Sequence, residues 1–314
     1  MSFKFIDLFC GLGGFRIAFE NNGGECVFSS DIDEHARNTY ELNFKEMPYG
    51  DITTINANEI PDHDILCAGF PCQPFSTAGK RLGFEDTRGT LFFDIARILD
   101  VKRPTALILE NVKGIVNHNS GDTLNTILEV LDSIGYDCTY KVINAIEHNI
   151  PQNRERWYCI GIRKDTDINI NEFIFPSTEE LKLKLIDVID KNIDIEKYLV
   201  SERCQENIDK FIDKKNIDVK ASTLAYDIRP SRCHFVTGEI SNCLTAKMGT
   251  GGSNVPVIIQ QRRKLTEKEC LRLMGFPESY KFNIGYQTYK QIGNSVVVPI
   301  VDKLAKQIIS VCDL

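Results

Sequence analysis

No apolar run in the chain approaches the ~18–20 residues that a membrane-spanning helix needs, so no membrane partner is expected. No Cys-x-x-Cys pair occurs among the eleven cysteines, which are scattered from Cys10 to Cys312. Zinc-site spacing is therefore missing, and no metal is expected. The start, Met1-Ser2-Phe3-Lys4-Phe5, runs straight into a strand-like pattern without signal-peptide character. A disulfide framework is accordingly not expected, and the thiols should be reduced in a cytoplasm. Internal repeats and low-complexity tracts are absent. A basic surplus is missing as well: 37 Lys+Arg against 44 Asp+Glu give a net charge of −7, which taken whole argues weakly against nucleic acid.

What is present points elsewhere. The 314 residues, 42% hydrophobic and 26% charged, have ordinary globular composition and the length for two domains. Charge is uneven. Residues 182–293 carry 19 basic against 14 acidic side chains, and 221–264 carry six against two. One face can then meet phosphate while the rest stays acidic.

The first half alternates strand and helix. Strands are expected at Phe3–Phe9, Glu25–Ser30, Ile65–Ala68, Ala106–Glu110, Tyr136–Ala145 and Trp157–Ile162. Helices are expected at Gly13–Asn22, Glu34–Phe44, Leu91–Leu99 and Thr123–Ile134. This rhythm predicts an α/β fold with a mostly parallel sheet covered by helices on both faces. Near residue 176 the texture changes. Leu181–Asp218 is Lys/Asp/Ile-rich and reads as helical, with Leu181, Leu185, Ile186 and Ile189 at amphipathic spacing. Thr223–Pro256 reads as loop-rich, and the block forms a second, smaller domain. Thr266 with Glu269 fits a capping box, and Val298–Val311 reads as a closing helix.

Four constellations carry chemistry. In Asp7-Leu8-Phe9-Cys10-Gly11-Leu12-Gly13-Gly14-Phe15, a strand meets glycines that let backbone approach a ligand. Asp31 and Asp33 follow the second strand, where a ribose-binding carboxylate belongs. In Gly69-Phe70-Pro71-Cys72-Gln73-Pro74, Cys72 sits where a buried strand ends; a thiolate there is a strong nucleophile. Residues 79–89, with Arg81 and Arg88, have the composition of a lid. Glu110 stands at the end of the next strand, where a carboxyl could assist attack on an electron-poor ring. Arg154 and Arg156 alternate and so share a face. Arg229, Arg232, Thr245, Lys247 and the glycines at 249–252, Gly251 and Gly252 among them, are expected near base edges or phosphates.

In this order the pieces Phe-Cys-Gly-Leu-Gly-Gly, Pro-Cys-Gln, Glu-Asn-Val, Gln-x-Arg-x-Arg and Gly293-Asn294-Ser295-Val296 resemble the C5-cytosine DNA methyltransferases of bacterial restriction–modification systems. The likeness covers residues 3–176 and returns at 263–299. It implies a Rossmann-like S-adenosylmethionine-dependent fold, with a catalytic domain over 1–180 completed by 290–314. It further implies a target-recognition domain over 181–262 and a connecting segment over 263–289. The cofactor would be S-adenosyl-L-methionine, with S-adenosyl-L-homocysteine as product. By the resemblance, Phe9, Gly11, Gly13, Gly14, Asp31, Asp51, Ile52, Gly69, Pro71, Leu91, Asn294 and Ser295 match cofactor contacts. Ile32 stands where many relatives carry an aromatic that stacks on adenine. Cys72 would attack C6 of a flipped-out cytosine, Glu110 would hold the N3/N4 edge, and Arg156 the O2 side with support from Arg154. Ala78 and Cys243 depart from the family pattern in regions that meet DNA. The implied partner is double-stranded DNA, with no obligate protein partner, for a monomer of bacterial or phage origin acting in the cytoplasm at the nucleoid. An RNA cytosine methyltransferase is the alternative, but the Cys-Phe-Thr signature of that branch is not found here. A catalytically silent DNA-binding relative is disfavoured by Cys72, Glu110, Arg154 and Arg156.

Overall fold

The computed structural model describes residues 2–71, 91–191, 193–220, 222–250 and 254–314. The chain divides into two compact units: Met1–Ile143 with Glu155–Ser177 and Val298–Leu314, and Asn144–Arg154 with Thr178–Val297.

The first unit is built in chain order from β1 (Lys4–Leu8), α1 (Gly14–Glu20), β2 (Glu25–Ser30), α2 (Glu34–Phe44), β3 (Ile65–Gly69), α3 (Leu91–Lys102), β4 (Ala106–Val112), α4 (Asp122–Ser133), β5 (Tyr136–Asn144) and β6 (Glu155–Arg163). The strands form one sheet in the order β2-β1-β3-β4-β6-β5. β1 pairs with β2 and β3 in parallel, β3 pairs with β4 in parallel, and β4 pairs with β6 antiparallel. The expected mostly parallel sheet is thus present. After β2 the chain crosses back over β1 to place β3, so the connections reverse direction beside β1. Ligands of open α/β sheets bind at such a switch point, outside the carboxyl ends of the strands.

Side-chain alternation puts apolar residues of the central strands β1, β3 and β4 on both faces of the sheet. Ile6 and Leu8, Leu66 and Ala68, Leu107 and Leu109 pack with Phe92, Ile95 and Leu99 of α3 and Ile127 and Leu131 of α4. The opposite face takes Phe5, whose ring lies 5.3 Å from that of Phe19 on α1. A sheet covered on both sides has no solvent face to make polar. Against α1 runs the terminal helix Val298–Cys312, where the Asn22 amide donates to Asp302 at 2.8 Å.

The second unit departs from the sequence reading. Among the described residues of 181–218, α-helix forms at α5 (Leu185–Val188) and α6 (Glu202–Lys215), with a 3-10 turn at Glu196–Tyr198 between them. Ser201 caps α6 by accepting from the Cys204 N–H, and Asn216 in the left-handed region closes it. The block read as loop-rich, Thr223–Pro256, holds β7 (Leu224–Arg229) and β8 (Arg232–Val236), which join β9 (Val257–Ile258) and β10 (Arg263–Lys264) just beyond it in a sheet of order β10-β9-β7-β8. Cys204, Ile208 and Phe211 of α6 cover Ala225, Ile228, Cys233 and Val257 of that sheet.

The capping box at Thr266 forms at the head of α7 (Glu267–Arg272). Its Glu269 does more than cap. The fully buried Arg263 guanidinium donates to both Glu269 oxygens, at 2.7 and 2.8 Å, and the Asp190 N–H donates to Oε1 at 2.8 Å. Removing one partner of a buried ion pair strands the other charge, at a cost of roughly 3–5 kcal/mol. Glu269→Gln should therefore lower the stability of this unit by about 3–5 kcal/mol in urea denaturation; an unchanged midpoint would contradict the role given to the pair.

Candidate active site and nucleic-acid groove

The loop after β1 is shaped by three left-handed residues, Phe9 (φ 57°), Gly11 (φ 52°) and Gly13 (φ 73°). The Cys10 N–H donates to Ser30 O at 3.0 Å and the Gly13 N–H to Cys10 O at 2.7 Å, so the chain tightens before entering α1 at Gly14. Gly13 is required twice over. Besides its φ, a Cβ there would lie 2.4 Å from the Phe44 ring and 3.0 Å from Tyr40. A Cβ on Gly11 would meet nothing nearer than Phe9 O at 3.9 Å, so the loop is open on that side.

Asp31, just past β2, ties this loop to its neighbour. One carboxylate oxygen accepts from the Gly11 N–H and the other from the Asp33 N–H, both at 2.8 Å. Burial pushes the Asp31 carboxyl above its ordinary range, and the two backbone hydrogen bonds oppose that shift. A carboxylate oxygen has two acceptor directions, so each can still receive a hydroxyl. Ile32 beside it is 71% exposed. Tyr49, which the sequence reading passed over, pairs its backbone with Ser29 and Asp31. Its ring stacks on Phe28 at 4.8 Å and stays 60% exposed. Nothing in Pro48-Tyr49-Gly50 signals this, because the bridge that brings Tyr49 to β2 is tertiary. Asp51 accepts from the Thr53 N–H at 3.0 Å, while Ile52 is buried in the core beneath β1 and β3.

At the ends of the next strands, Gly69 stands level with Glu110 in the β3–β4 register. Glu110 in turn faces Tyr158 on β6, which makes Arg156, two residues away on β6, its diagonal neighbour. Both side chains are almost wholly buried, with Arg156 Nε 3.1 Å from Glu110 Oε1. Asn111 points the other way and is 2% exposed. Its amide donates to Phe70 O at 2.9 Å, and its Oδ1 accepts from the Val112 N–H at 2.8 Å. It thereby joins the end of β4 to the end of β3, immediately before exposed Pro71. The sequence reading quoted Asn111 without a role; its signal was an amide that must find partners inside an apolar strand. Leu91, half-buried, opens α3. Cys72 and the segment 79–90, with Ala78, Arg81 and Arg88, lie outside the described residues.

Arg154 and Arg156 part company. Arg154 belongs to the second unit, where it is 2% exposed. Its guanidinium donates to the carbonyls of Leu244 (2.6 Å), Gly293 (3.2 Å) and Ser295 (2.6 Å). Asn294 and Ser295 close α8 (Tyr286–Asn294) in the same unit. There α8 presses on the turn at Ala246–Thr250, and a Cβ on Gly293 would fall 2.1 Å from the Thr245 backbone. Arg154 is a staple of this unit.

Four of the candidate nucleic-acid contacts, far apart in sequence, line one groove of about 750 Å³. Arg229, Arg232, Thr245 and Lys247 surround it together with Tyr226 and Asp227. Gly251 and Gly252 lie outside the described residues. Among the described residues, no cluster of His, Cys, Asp and Glu could hold a metal ion, and no helix is long and apolar enough to cross a membrane.

A sheet whose connections reverse beside β1, with a glycine turn and an acid at that point, defines a Rossmann-like S-adenosylmethionine-dependent methyltransferase fold. Residues 3–310 match the family described as C-5 cytosine-specific DNA methylase. The chain is 42% identical over 316 residues to the type II methyltransferase M.DsaV of Dactylococcopsis salina, spanning 99% of this chain and 87% of that protein. It is 42% identical over 315 residues to the type II methyltransferase M.HhaI of Haemophilus parahaemolyticus, spanning 97% and 94%. A solved structure of a Spodoptera frugiperda DNMT2 mutant matches with a TM-score of 0.71 at 25% identity, covering 98% of this chain and 99% of that one. The chain belongs to the C-5 cytosine-specific DNA methylases.

Gly13→Ala should cost about 1–3 kcal/mol from the left-handed backbone, with the Phe44 collision added. Thermal unfolding should register that loss, and methyl transfer should fall with it. A variant as stable and active as the parent would remove the steric reading of this turn.

Proposed function

We propose that the chain transfers a methyl group from S-adenosyl-L-methionine to C5 of a cytosine flipped out of a short duplex DNA site, as the modification half of a type II restriction–modification system. The observation that carries this is the buried Glu110–Arg156 pair at the strand ends, with Gly69 leading toward Pro71-Cys72 in register beside it. A paired carboxylate and guanidinium match the N3/N4 edge and the O2 side of a cytosine. C6 of a stacked cytosine is out of reach of a cysteine in a cleft, so the nucleotide must leave the helix.

The residues fit the cofactor. Asp31 offers two acceptor oxygens for a ribose diol, Gly11 leaves room for close approach, and Ile32 and Tyr49 present apolar surface beside that acid. Phe9, Gly13, Gly14, Asp51, Gly69, Pro71 and Leu91 would complete the hold, with Ile52 as packing beneath. When bound, the cofactor supplies an electrophilic methyl carbon. Asn294 and Ser295 are further candidate contacts.

Cys72 as thiolate adds to C6 and forms the C6–S bond. The C5–C6 double-bond electrons move toward C5 and on to N3, where Glu110 in its acid form gives up a proton, so that the ring becomes a neutral enamine nucleophilic at C5. Arg156 holds O2 and, through its pairing, the orientation of Glu110. As C5 takes the methyl group, N3 returns its proton to Glu110; a solvent base then removes the C5 proton, its electron pair re-forms the C5–C6 double bond, and the Cys72 thiolate is expelled. Arg154 acts by positioning the chain between Leu244 and Ser295. The chain would work as a monomer in a cytoplasm, on duplex DNA, with Arg81, Arg88, Lys247, Thr245, Gly251 and Gly252 near the duplex.

Cys72→Ala should abolish methyl transfer while duplex binding stays measurable in a gel-shift assay. A duplex carrying 5-fluorocytosine at the methylated position should form a denaturation-resistant adduct with the parent chain, since fluorine cannot leave as the C5 proton does. Full activity of the variant, or no adduct on a duplex otherwise methylated, would rule out thiol addition.

A further inference from the structure

The groove of the second unit holds an arrangement that methyl transfer itself does not use. β7 and β8 are joined through Pro230-Ser231, so Arg229 and Arg232 stand directly opposite each other at the head of the hairpin. Like charges in that position repel. The backbone answers with an irregularity: the register slips between Tyr226 and Arg229, and Asp227 takes φ +47°. Among residues other than glycine, Asp and Asn tolerate that left-handed conformation best. Bulges of this kind re-aim a side chain.

The re-aimed carboxylate clasps Arg232 through two contacts, Nε to Oδ2 at 2.7 Å and Nη2 to Oδ1 at 3.2 Å. Arg229 also approaches this carboxylate, with Nε 3.7 Å from Oδ1, while its Nη2 donates to Asn254 Oδ1 at 2.7 Å. The Arg232 guanidinium holds the Asp227 carboxyl below its usual range. A guanidinium has five N–H donors in a fixed fork. With its Nε/Nη2 edge on Asp227, the Nη1/Nη2 edge of Arg232 is turned away from the carboxylate, and the side chain is 60% exposed at the groove. Contact with a phosphate needs charge and tolerates a mobile stem, as lysine has. A guanidinium plane locked by a carboxylate, at the expense of a left-handed backbone, serves recognition that depends on orientation. Paired N–H donors in one plane match O6 and N7 of guanine, the commonest specific contact in the major groove.

We propose that Arg232 reads a guanine of the methylated site through the major groove, and that Asp227 is the positioning residue that fixes its guanidinium plane. This rests on the reading of the chain as a duplex-DNA methyltransferase. The test uses the full chain, Arg232→Lys and Asp227→Asn on duplexes randomised around a cytosine, with methylated sequences read by bisulfite conversion. Asparagine accepts the left-handed backbone but carries no charge, so Asp227→Asn weakens the clasp, and an unfolding midpoint equal to the parent's shows that the hairpin persists. The parent should demand guanine at one position. Arg232→Lys should relax that position by roughly ten- to hundredfold and leave the others unchanged, with Asp227→Asn relaxing the same position. Replacing that guanine by 7-deazaguanine should weaken methylation by the parent and have little further effect on Arg232→Lys. A uniform loss over all sequences, with a salt dependence shallower by about one phosphate, would make Arg232 a backbone contact and overturn the proposal. Unchanged sequence preference in both variants would overturn it too. A parent chain that methylates no cytosine would sink the methyltransferase reading itself, and this proposal with it.

Discussion

The chemistry depends on the level register of three parallel strands. Leu8 pairs with Ala68 and Ala68 with Leu109, so β1, β3 and β4 run side by side in step and end at the same edge. A one-residue slip would turn every apolar side chain of a strand to the other face. Both faces of this sheet are covered by helices, and the core clusters around it tolerate no such slip. The loop that carries Gly11 and Gly13, the strand end that leads to Cys72, and Glu110 therefore emerge together at one edge. Pairing of β6 with β4 then brings Arg156 to Glu110 diagonally.

Polar groups finish what the register begins. Asp31 joins the first loop to the end of β2, and Asn111 joins the end of β4 to Phe70. In the second unit, Arg154 gathers the carbonyls of 244, 293 and 295, while Arg263 and Glu269 pair beneath α7. A buried polar group without partners is costly. Each of these side chains therefore holds its segments only in the arrangement that satisfies it. Asp227 works in the same way at the surface of the groove, where its charge makes a pair of facing arginines tolerable.

Legibility from the sequence followed the length and contrast of each signal. The apolar runs Ile65–Ala68 and Ala106–Leu109, each bounded by glycine or a polar residue, carry the strands Ile65–Gly69 and Ala106–Val112, which formed close to the expected limits. The capping box at Thr266 was equally plain because its two residues act on each other locally. Over 181–218 the spacing of Leu181, Leu185, Ile186 and Ile189 fitted a continuous helix, whereas among the described residues α-helix forms at 185–188 and 202–215. There the caps, Ser201 and Asn216, decide the limits. The second sheet went unread because β9 and β10 have two residues each, too few to show alternation, and because β7 and β8 are short, charged and broken in register at Asp227. Arg154 and Arg156 looked equivalent by spacing, yet the chain passes from one unit to the other between them.

By itself the sequence determined which chemistry is available: a glycine turn, an acid after the second strand, a cysteine and a carboxyl each placed at a strand end. These are local patterns, set by backbone freedom and by what an apolar strand can bury. Only the tertiary structure decided which of them meet. The pairing of Glu110 with Arg156, the reach of Asn111 to Phe70, and the gathering of Arg229, Arg232, Thr245 and Lys247 around one groove all depend on strand order and register. Those are fixed by contacts between residues distant in the chain, and no local pattern records them.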